Sequence, residues 1–340
     1  MIQIANILLT RKCNLKCSYC AISKNYEGMP EEYPSLSNYH MTEMNTEYVC
    51  TMLDVLKKHN PDIFVIFYGG EPMLRKDIVE IIKHSNDINL NYTIITNNSD
   101  EVQKAILNLV NSVVVKGITS SVDPVIYDLH TGDDRYKKSI LGFERLENLK
   151  KYVKDVVAEV TVTKDNVKHL YMLVSDLSKK GISSSITFID ISKNPYYDFS
   201  DVTDSESLIR PSEELHNQLE SIKNDSSLDI HMKDELLPLL EKYCDSSYDC
   251  EIEKNVHNVT IDADGTLRLC LRIRGTNTPN RSILSYIHSD GSIDDSLLKN
   301  IKYDKDMYCR GCNWTCPIFS GLVENNPSMK DKLIHTDKRG

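Results

Sequence analysis

Between residue 4 and about residue 190 the chain alternates short apolar runs with helix-like stretches, and this rhythm restricts the fold more than any other feature of its 340 residues. The runs are Ile4 to Leu9, Ile63 to Phe67, Tyr92 to Thr96, Ser112 to Val115, Val156 to Thr163 and Ser184 to Ile189. Between them lie the helical candidates Thr46 to Lys58, Lys76 to His84, Ser99 to Leu109, Ser139 to Val153 and Val167 to Lys180. Strands that are apolar almost throughout are buried on both faces. Their repeated alternation with helices therefore predicts an α/β fold, a parallel sheet of about six β-α units covered by helices.

Two motifs stand where the first two runs end. Cys13-Asn-Leu-Lys-Cys17-Ser-Tyr19-Cys20 follows the first run. Three thiolates so closely spaced can wrap one cubane iron-sulfur cluster and leave its fourth iron free to bind a small molecule. Spacing alone also admits a zinc site lacking one ligand, or a disulfide pair. Tyr68-Gly69-Gly70-Glu71-Pro72 follows the second run. By itself it is an ordinary strand-to-helix turn, in which glycines supply positive φ and proline stops the strand. The pair together, Cys-x3-Cys-x-aromatic-Cys after one strand and Gly-Gly-Glu-Pro after the next, resembles the radical S-adenosylmethionine (radical SAM) superfamily.

That resemblance implies a partial (β/α)6 TIM-like barrel with its functional groups at the C-terminal ends of the strands, where both motifs lie. It implies that Cys13, Cys17 and Cys20 hold a 4Fe-4S cluster. Its open iron would bind S-adenosylmethionine and, when reduced, cleave it to a 5′-deoxyadenosyl radical. Gly69, Gly70, Glu71 and Pro72 would then meet the methionine amino group, since an amine needs oxygen acceptors and glycine lets the backbone approach. Tyr19 occupies the aromatic position near the adenine. Thr96-Asn97-Asn98 stands where the family commonly has Thr-Asn-Gly, making Asn97 a cofactor-binding candidate and requiring Asn98 to take positive φ. Ser121-Val-Asp123 matches the family's strand-four Ser-x-Asp, with Ser121 a ribose contact and Asp123 the catalytic candidate, facing either the cofactor or the substrate. As a residue before Pro124, Asp123 is equally a turn former. The following Tyr127 to Gly132 lacks the arginine usual in the family. Thr163 ends the fifth run and is the last cofactor-binding candidate.

Past residue 190 the rhythm breaks, which divides the chain into a barrel (1–192), a linker with helical stretches from Pro211 to Lys223 and Lys233 to Tyr243 (193–243), and a cysteine-rich unit (244–340). That unit carries Cys244, Cys250, a hairpin signal at Ala263-Asp264-Gly265 between two alternating runs, then Cys270 and the knuckle Cys309-x2-Cys312-x3-Cys316. Cys250, Cys270, Cys309 and Cys312 are similar to the opening of the SPASM and twitch extensions of the superfamily. The knuckle departs from a full SPASM pattern, so the resemblance implies one auxiliary 4Fe-4S cluster drawn from Cys250, Cys270, Cys309, Cys312 and Cys316. A zinc knuckle suits the same thiolates. Cys50, at an apolar helical position, reads as a buried core thiol. His130, His231 and His257 lack ligand spacing.

Ten cysteines would suit a disulfide scaffold in a small secreted chain, but here they cluster without an export signal, which favours metal ligation and a cytoplasmic protein. No apolar run approaches ~18 residues, so no membrane span is expected. The formal charge of −10 disfavours nucleic acid as a partner. The resemblance implies hydrogen abstraction from a peptide or protein substrate, with a flavodoxin or ferredoxin as electron donor. With the first strand expected almost at residue 1, no peptide-recognition domain is expected ahead of the barrel, which weakens the expectation of a leader-dependent peptide maturase acting alone. The resemblance to twitch-type members, which act on aminoglycosides and nucleotides, implies dehydrogenation or rearrangement of a sugar- or nucleotide-like metabolite as the alternative. A zinc-binding interaction protein is the alternative of another class. Asp123, Tyr196, Tyr197, Arg272 and Trp314 are candidates to line a substrate cavity.

Overall fold

The structure, a computed structural model, describes residues 2–15, 17, 43–123, 143–188, 209, 212–231, 233–234, 237–238, 240, 258–268, 282–288 and 293–294. Six parallel strands follow one another across the sheet in chain order: β1 (Ile4–Thr10), β2 (Phe64–Gly69), β3 (Asn91–Thr96), β4 (Gly117–Ser121), β5 (Asp155–Val162) and β6 (Ser183–Phe188). The described helices between them are α1 (Thr46–His59), α2 (Ile78–Asp87), α3 (Asp100–Ser112), a helical stretch over residues 143–149, and α4 (Leu170–Lys179). Right-handed crossovers between strands laid down in one direction place all these helices on the same side of the sheet.

The helices bury one apolar stripe each. Val49, Met52, Leu53 and Leu56 of α1 recur at three- and four-residue intervals, as do Ile78, Ile81 and Ile82 of α2 and Leu170, Leu173, Val174 and Leu177 of α4. They pack into the main core with alternate strand residues, among them Ile7, Val65, Phe67, Ile94, Val160 and Phe188. The other face of the sheet is half-buried and polar. The strand register sets Ile66 beside Thr93, Ser121 beside Glu159, Glu159 beside Ser185 and Thr161 beside Thr187, and neighbours in register share a face.

Five of the six expected strands occur within two residues of their expected limits. The fourth does not. Ser112 to Val115 is the end of α3 and the coil after it, with Val114 76% exposed, and the strand is instead Gly117–Ser121. Its residues, Gly-Ile-Thr-Ser-Ser, carry hydroxyls toward the polar face, so an apolar run marks the wrong segment. Gly117 relieves a tight approach, since a Cβ there would lie 3.2 Å from the Tyr92 carbonyl oxygen and from Thr93 Oγ1.

The hairpin expected around Asp264-Gly265 forms as β7 (Asn258–Ile261) and β8 (Leu267–Arg268), paired antiparallel. Gly265 takes φ +84° in the turn. The hairpin is not detached from the barrel sheet: β7 lies parallel to β1 on its free edge, with Ile4 opposite Asn258 and Ile7 opposite Ile261. A fifth helix, α5 (Glu213–Asn224), lies within the segment expected to be helical and packs beside α4. Among the described residues no helix is long and apolar enough to cross a membrane.

Candidate functional site

The C-terminal ends of β1 and β2 are tied together by backbone contacts that only glycine permits, and the end of β3 joins them through the Glu71 side chain. Past the last paired residues of β1 and β2, where Thr10 stands opposite Gly69, the Gly70 N–H donates to the Thr10 carbonyl at 2.8 Å. The Glu71 N–H donates to the Lys12 carbonyl at 2.8 Å. A Cβ on Gly69 would sit 2.3 Å from the Thr10 oxygen, and one on Gly70 would sit 2.2 Å from the Lys12 oxygen and 2.8 Å from that of Arg11. These are backbone atoms that cannot swing aside. The two glycines therefore serve the approach of two chains, and the chain they approach leads directly into Cys13.

Glu71 is fully buried, and its carboxylate gathers donors from both flanks. Oε1 accepts from the Met73 N–H at 3.0 Å and from the Thr96 hydroxyl at 2.9 Å, while Oε2 accepts from the Asn97 N–H at 2.7 Å. Burial pushes its pKa up to about 7 even though all three hydrogen bonds pull it down. The carboxylate thus pins the end of β3 to the loop after β2. Pro72 opens the short helical turn Pro72–Leu74, where its missing N–H costs nothing.

Asn97 carries the chain of contacts to the cysteines. Its Nδ2 donates to Asn14 Oδ1 at 2.9 Å and lies 3.9 Å from Cys13 Sγ; its Oδ1 accepts from the Ser99 N–H at 3.0 Å. Asn14 reaches back to Ser99 Oγ at 2.8 Å. The Leu15 N–H donates to Cys13 Sγ at 3.4 Å. Two N–H donors directed at one sulfur are what a metal-bound thiolate requires of its surroundings. Asn98 takes φ +51°, the conformation expected where the family has glycine, and Arg145 donates to its carbonyl at 2.8 Å.

Ser121 and Asp123 stand at and just past the end of β4, with Asp123 fully buried. Thr163 follows the last residue of β5; its N–H donates to Asn166 Oδ1 at 2.7 Å in a tight turn. Gly69, Gly70, Glu71, Pro72, Asn97 and Cys13 are thus brought into one connected cluster, with Ser121, Asp123 and Thr163 on the same rim of the sheet. Cys17 is described and buried. Tyr19, Cys20, Cys250, Cys270, Cys309, Cys312, Cys316, Tyr196, Tyr197, Arg272 and Trp314 lie outside the described residues.

Three polar groups that no motif announced hold the approach to Cys13. Glu43 Oε1 accepts from the Thr10 hydroxyl at 2.6 Å and from the Arg11 N–H at 3.1 Å. Arg11 donates to Asp262 at 2.6 Å. Arg75 donates to the Leu9 carbonyl at 2.8 Å, and to Asp77, whose pKa it draws down against the opposing effect of burial. On the polar face of the sheet, Thr93 and Thr119 share a hydrogen bond and the Thr187 hydroxyl donates to Glu159.

The donor set fits the expected group: the Cys13 sulfur met by N–H donors and, next to it, an oxygen-rich, glycine-lined ledge. The family model described as "Radical SAM superfamily" matches residues 7–189. The AdoMet-dependent heme synthase of Oleidesulfovibrio alaskensis is 28% identical over 183 residues, which cover 50% of this chain and 41% of that protein. The radical SAM cyclopropyl synthase TigE of Paramaledivibacter caminithermalis is 23% identical, over 58% of this chain and 44% of that protein. The chain thus spans less than half the length of these relatives. The crystal structure of Streptococcus suis SuiB bound to S-adenosylmethionine superposes with a TM-score of 0.60 at 15% identity, covering 92% of this chain and 71% of that one. The structure of anSMEcpe with AdoMet and a peptide bound gives 0.55 at 16% identity, covering 98% and 99%. At such identities the likeness to the two structures is one of fold.

Proposed function

The chain belongs to the radical SAM superfamily, and on that premise we propose that it abstracts a hydrogen atom from a peptide or protein substrate. Cys13, Cys17 and Cys20 hold the 4Fe-4S cluster in this reading, and Gly69, Gly70, Glu71, Pro72 and Asn97 form the ledge for S-adenosylmethionine, with Tyr19, Ser121 and Thr163 completing its site. The bound cluster and S-adenosylmethionine supply the radical chemistry; the chain binds, orients and shields. The observation that carries the proposal is the clamp of Gly70 and Glu71 on the Thr10 and Lys12 carbonyls, which sets the ledge against the segment entering the cysteine loop.

A peptide substrate is favoured by the polar sheet face, whose hydroxyls and the Glu159 carboxylate suit amide and side-chain polar groups, and by the fold shared with a peptide-bound structure. The same face suits a sugar- or nucleotide-like metabolite, the second reading. Asp123 is the proposed catalytic or substrate-facing carboxylate. We further propose that Cys250, Cys270, Cys309, Cys312 and Cys316 of a unit spanning 244–340 hold one auxiliary 4Fe-4S cluster, and that a flavodoxin or ferredoxin in the cytoplasm delivers the electron.

The test is anaerobic reduction with S-adenosylmethionine. Wild type should release 5′-deoxyadenosine. Cys13→Ala should release none, and Asp123→Asn should still release it while failing to modify substrate. No 5′-deoxyadenosine from iron-loaded wild type would overturn the proposal.

A further inference from the structure

Two residues ahead of Cys13, the side chain of Arg11 enters a buried ionic triad. Arg11, Asp262 and Arg268 are 4%, 0% and 4% exposed. One oxygen of Asp262 accepts from Arg11 at 2.6 Å and from the Ala263 N–H at 2.7 Å; the other meets Arg268. Asp264 lies 3.6 Å from Arg11. Arg11 belongs to the entry of the cysteine loop and the other three to the hairpin of β7 and β8, a link spanning 251 residues of chain.

Burying such charges is costly, and a well-packed apolar trio commonly stabilises a fold as well or better, so stability alone does not account for them. What an ionic triad supplies is register. One buried carboxylate that offers a separate oxygen to the Nη2 of each of two planar guanidinium groups accepts only a narrow range of positions for both. The surroundings narrow it further. The Arg11 N–H is held by Glu43, its carbonyl packs against Gly70, and the neighbouring Met44 N–H donates to the Ala263 carbonyl at 2.7 Å. On the far side of the turn, Gly265 packs on the Tyr48 ring and its carbonyl accepts from the Ile283 N–H at 3.0 Å.

We propose that the Arg11–Asp262–Arg268 triad is a positioning device that seats the cluster-binding loop against the C-terminal hairpin, so that the cluster site takes its working geometry only when residues 258–268 are docked. This rests on the proposed cluster at Cys13, Cys17 and Cys20. The hairpin is then a part of the radical site, and a barrel cut off before it should hold iron poorly.

The experiment compares wild type with Arg11→Met/Asp262→Leu/Arg268→Met in the full chain, both reconstituted anaerobically. The apo-variant should melt at or above the wild-type temperature. Its cluster should lose iron to a chelator about tenfold more readily, the scale for disturbing groups that orient metal ligands. The shift that S-adenosylmethionine causes in the reduced cluster's electron paramagnetic resonance spectrum should shrink or vanish. A variant with wild-type iron retention and spectrum would overturn the proposal. Should the triple variant not fold, Arg11→Lys decides: it keeps the charge and loses the fork, and should reduce iron retention with little change in apo-protein melting. Loss of melting temperature with an unaltered cluster would show a stabilising role only. Absence of iron from wild type, by contrast, counts against the cluster reading and not the triad.

Discussion

At the residue scale, the backbone contacts around Gly70 and Glu71 make the sharpest predictions. Gly70→Ala forces a methyl group into the Lys12 and Arg11 carbonyls. It should cost about 1–3 kcal/mol, the usual penalty for overpacking, and should abolish S-adenosylmethionine binding measured by calorimetry on the iron-loaded protein. Glu71 predicts a pH dependence. Its pKa is near 7 when folded and near 4.5 when unfolded. Between those values the folded state carries the extra proton, so the contribution of Glu71 to stability falls as pH rises from 4.5 to 7 and is constant above. Melting temperatures of wild type should therefore drop relative to Glu71→Gln across that window. A constant difference throughout it would show that the carboxylate is ionised in the fold already at low pH. Both residues were legible in the sequence as a motif, but the contacts that hold them in place were not. Glu71 spends its carboxylate on Met73, Thr96 and Asn97, contacts that a one-dimensional reading has no means to pair.

Among the elements, the hairpin of β7 and β8 gives a controlled comparison. Gly265 and Gly181 both have positive φ, at +84° and +65°. Replacing either by alanine incurs the left-handed strain, about 1–2 kcal/mol. At Gly181 the new methyl meets only the Nζ end of the long Lys150 side chain at 3.1 Å, whereas at Gly265 it meets the Tyr48 hydroxyl and ring at 2.6 to 2.9 Å. Gly265→Ala should therefore lower the melting temperature well beyond Gly181→Ala, and equal losses would show that the hairpin is not packed on α1. The sequence announced this hairpin through its Asp-Gly turn, yet its docking on the edge of β1 was invisible, because the same alternating pattern serves any sheet edge. The opposite error occurred at β4, where Val113, Val114 and Val115 read as a strand. Hydrophobicity located the end of α3 there, while the true strand was masked by the hydroxyls of Thr119 and Ser121 on the polar side of the sheet and of Ser120, buried on the helix side.

For the whole molecule, the parallel sheet of about six β-α units followed from alternation, while the barrel order of its strands and the gathering of both motifs at one rim were what the resemblance to the superfamily implied. The residues that hold the rim together, Glu43, Arg75 and the triad of Arg11, Asp262 and Arg268, followed from neither. Isolated charged residues carry no period, and their partners are set only once the chain has closed on itself. The central claim is that Cys13, Cys17 and Cys20 hold a redox cluster separate from any held by the C-terminal cysteines. Its most direct test is iron and sulfide per chain after anaerobic reconstitution, for wild type and for Cys13→Ala/Cys17→Ala/Cys20→Ala. Two cubane clusters predict about eight irons falling to about four in the variant. An iron content that the three substitutions leave unchanged would contradict the claim.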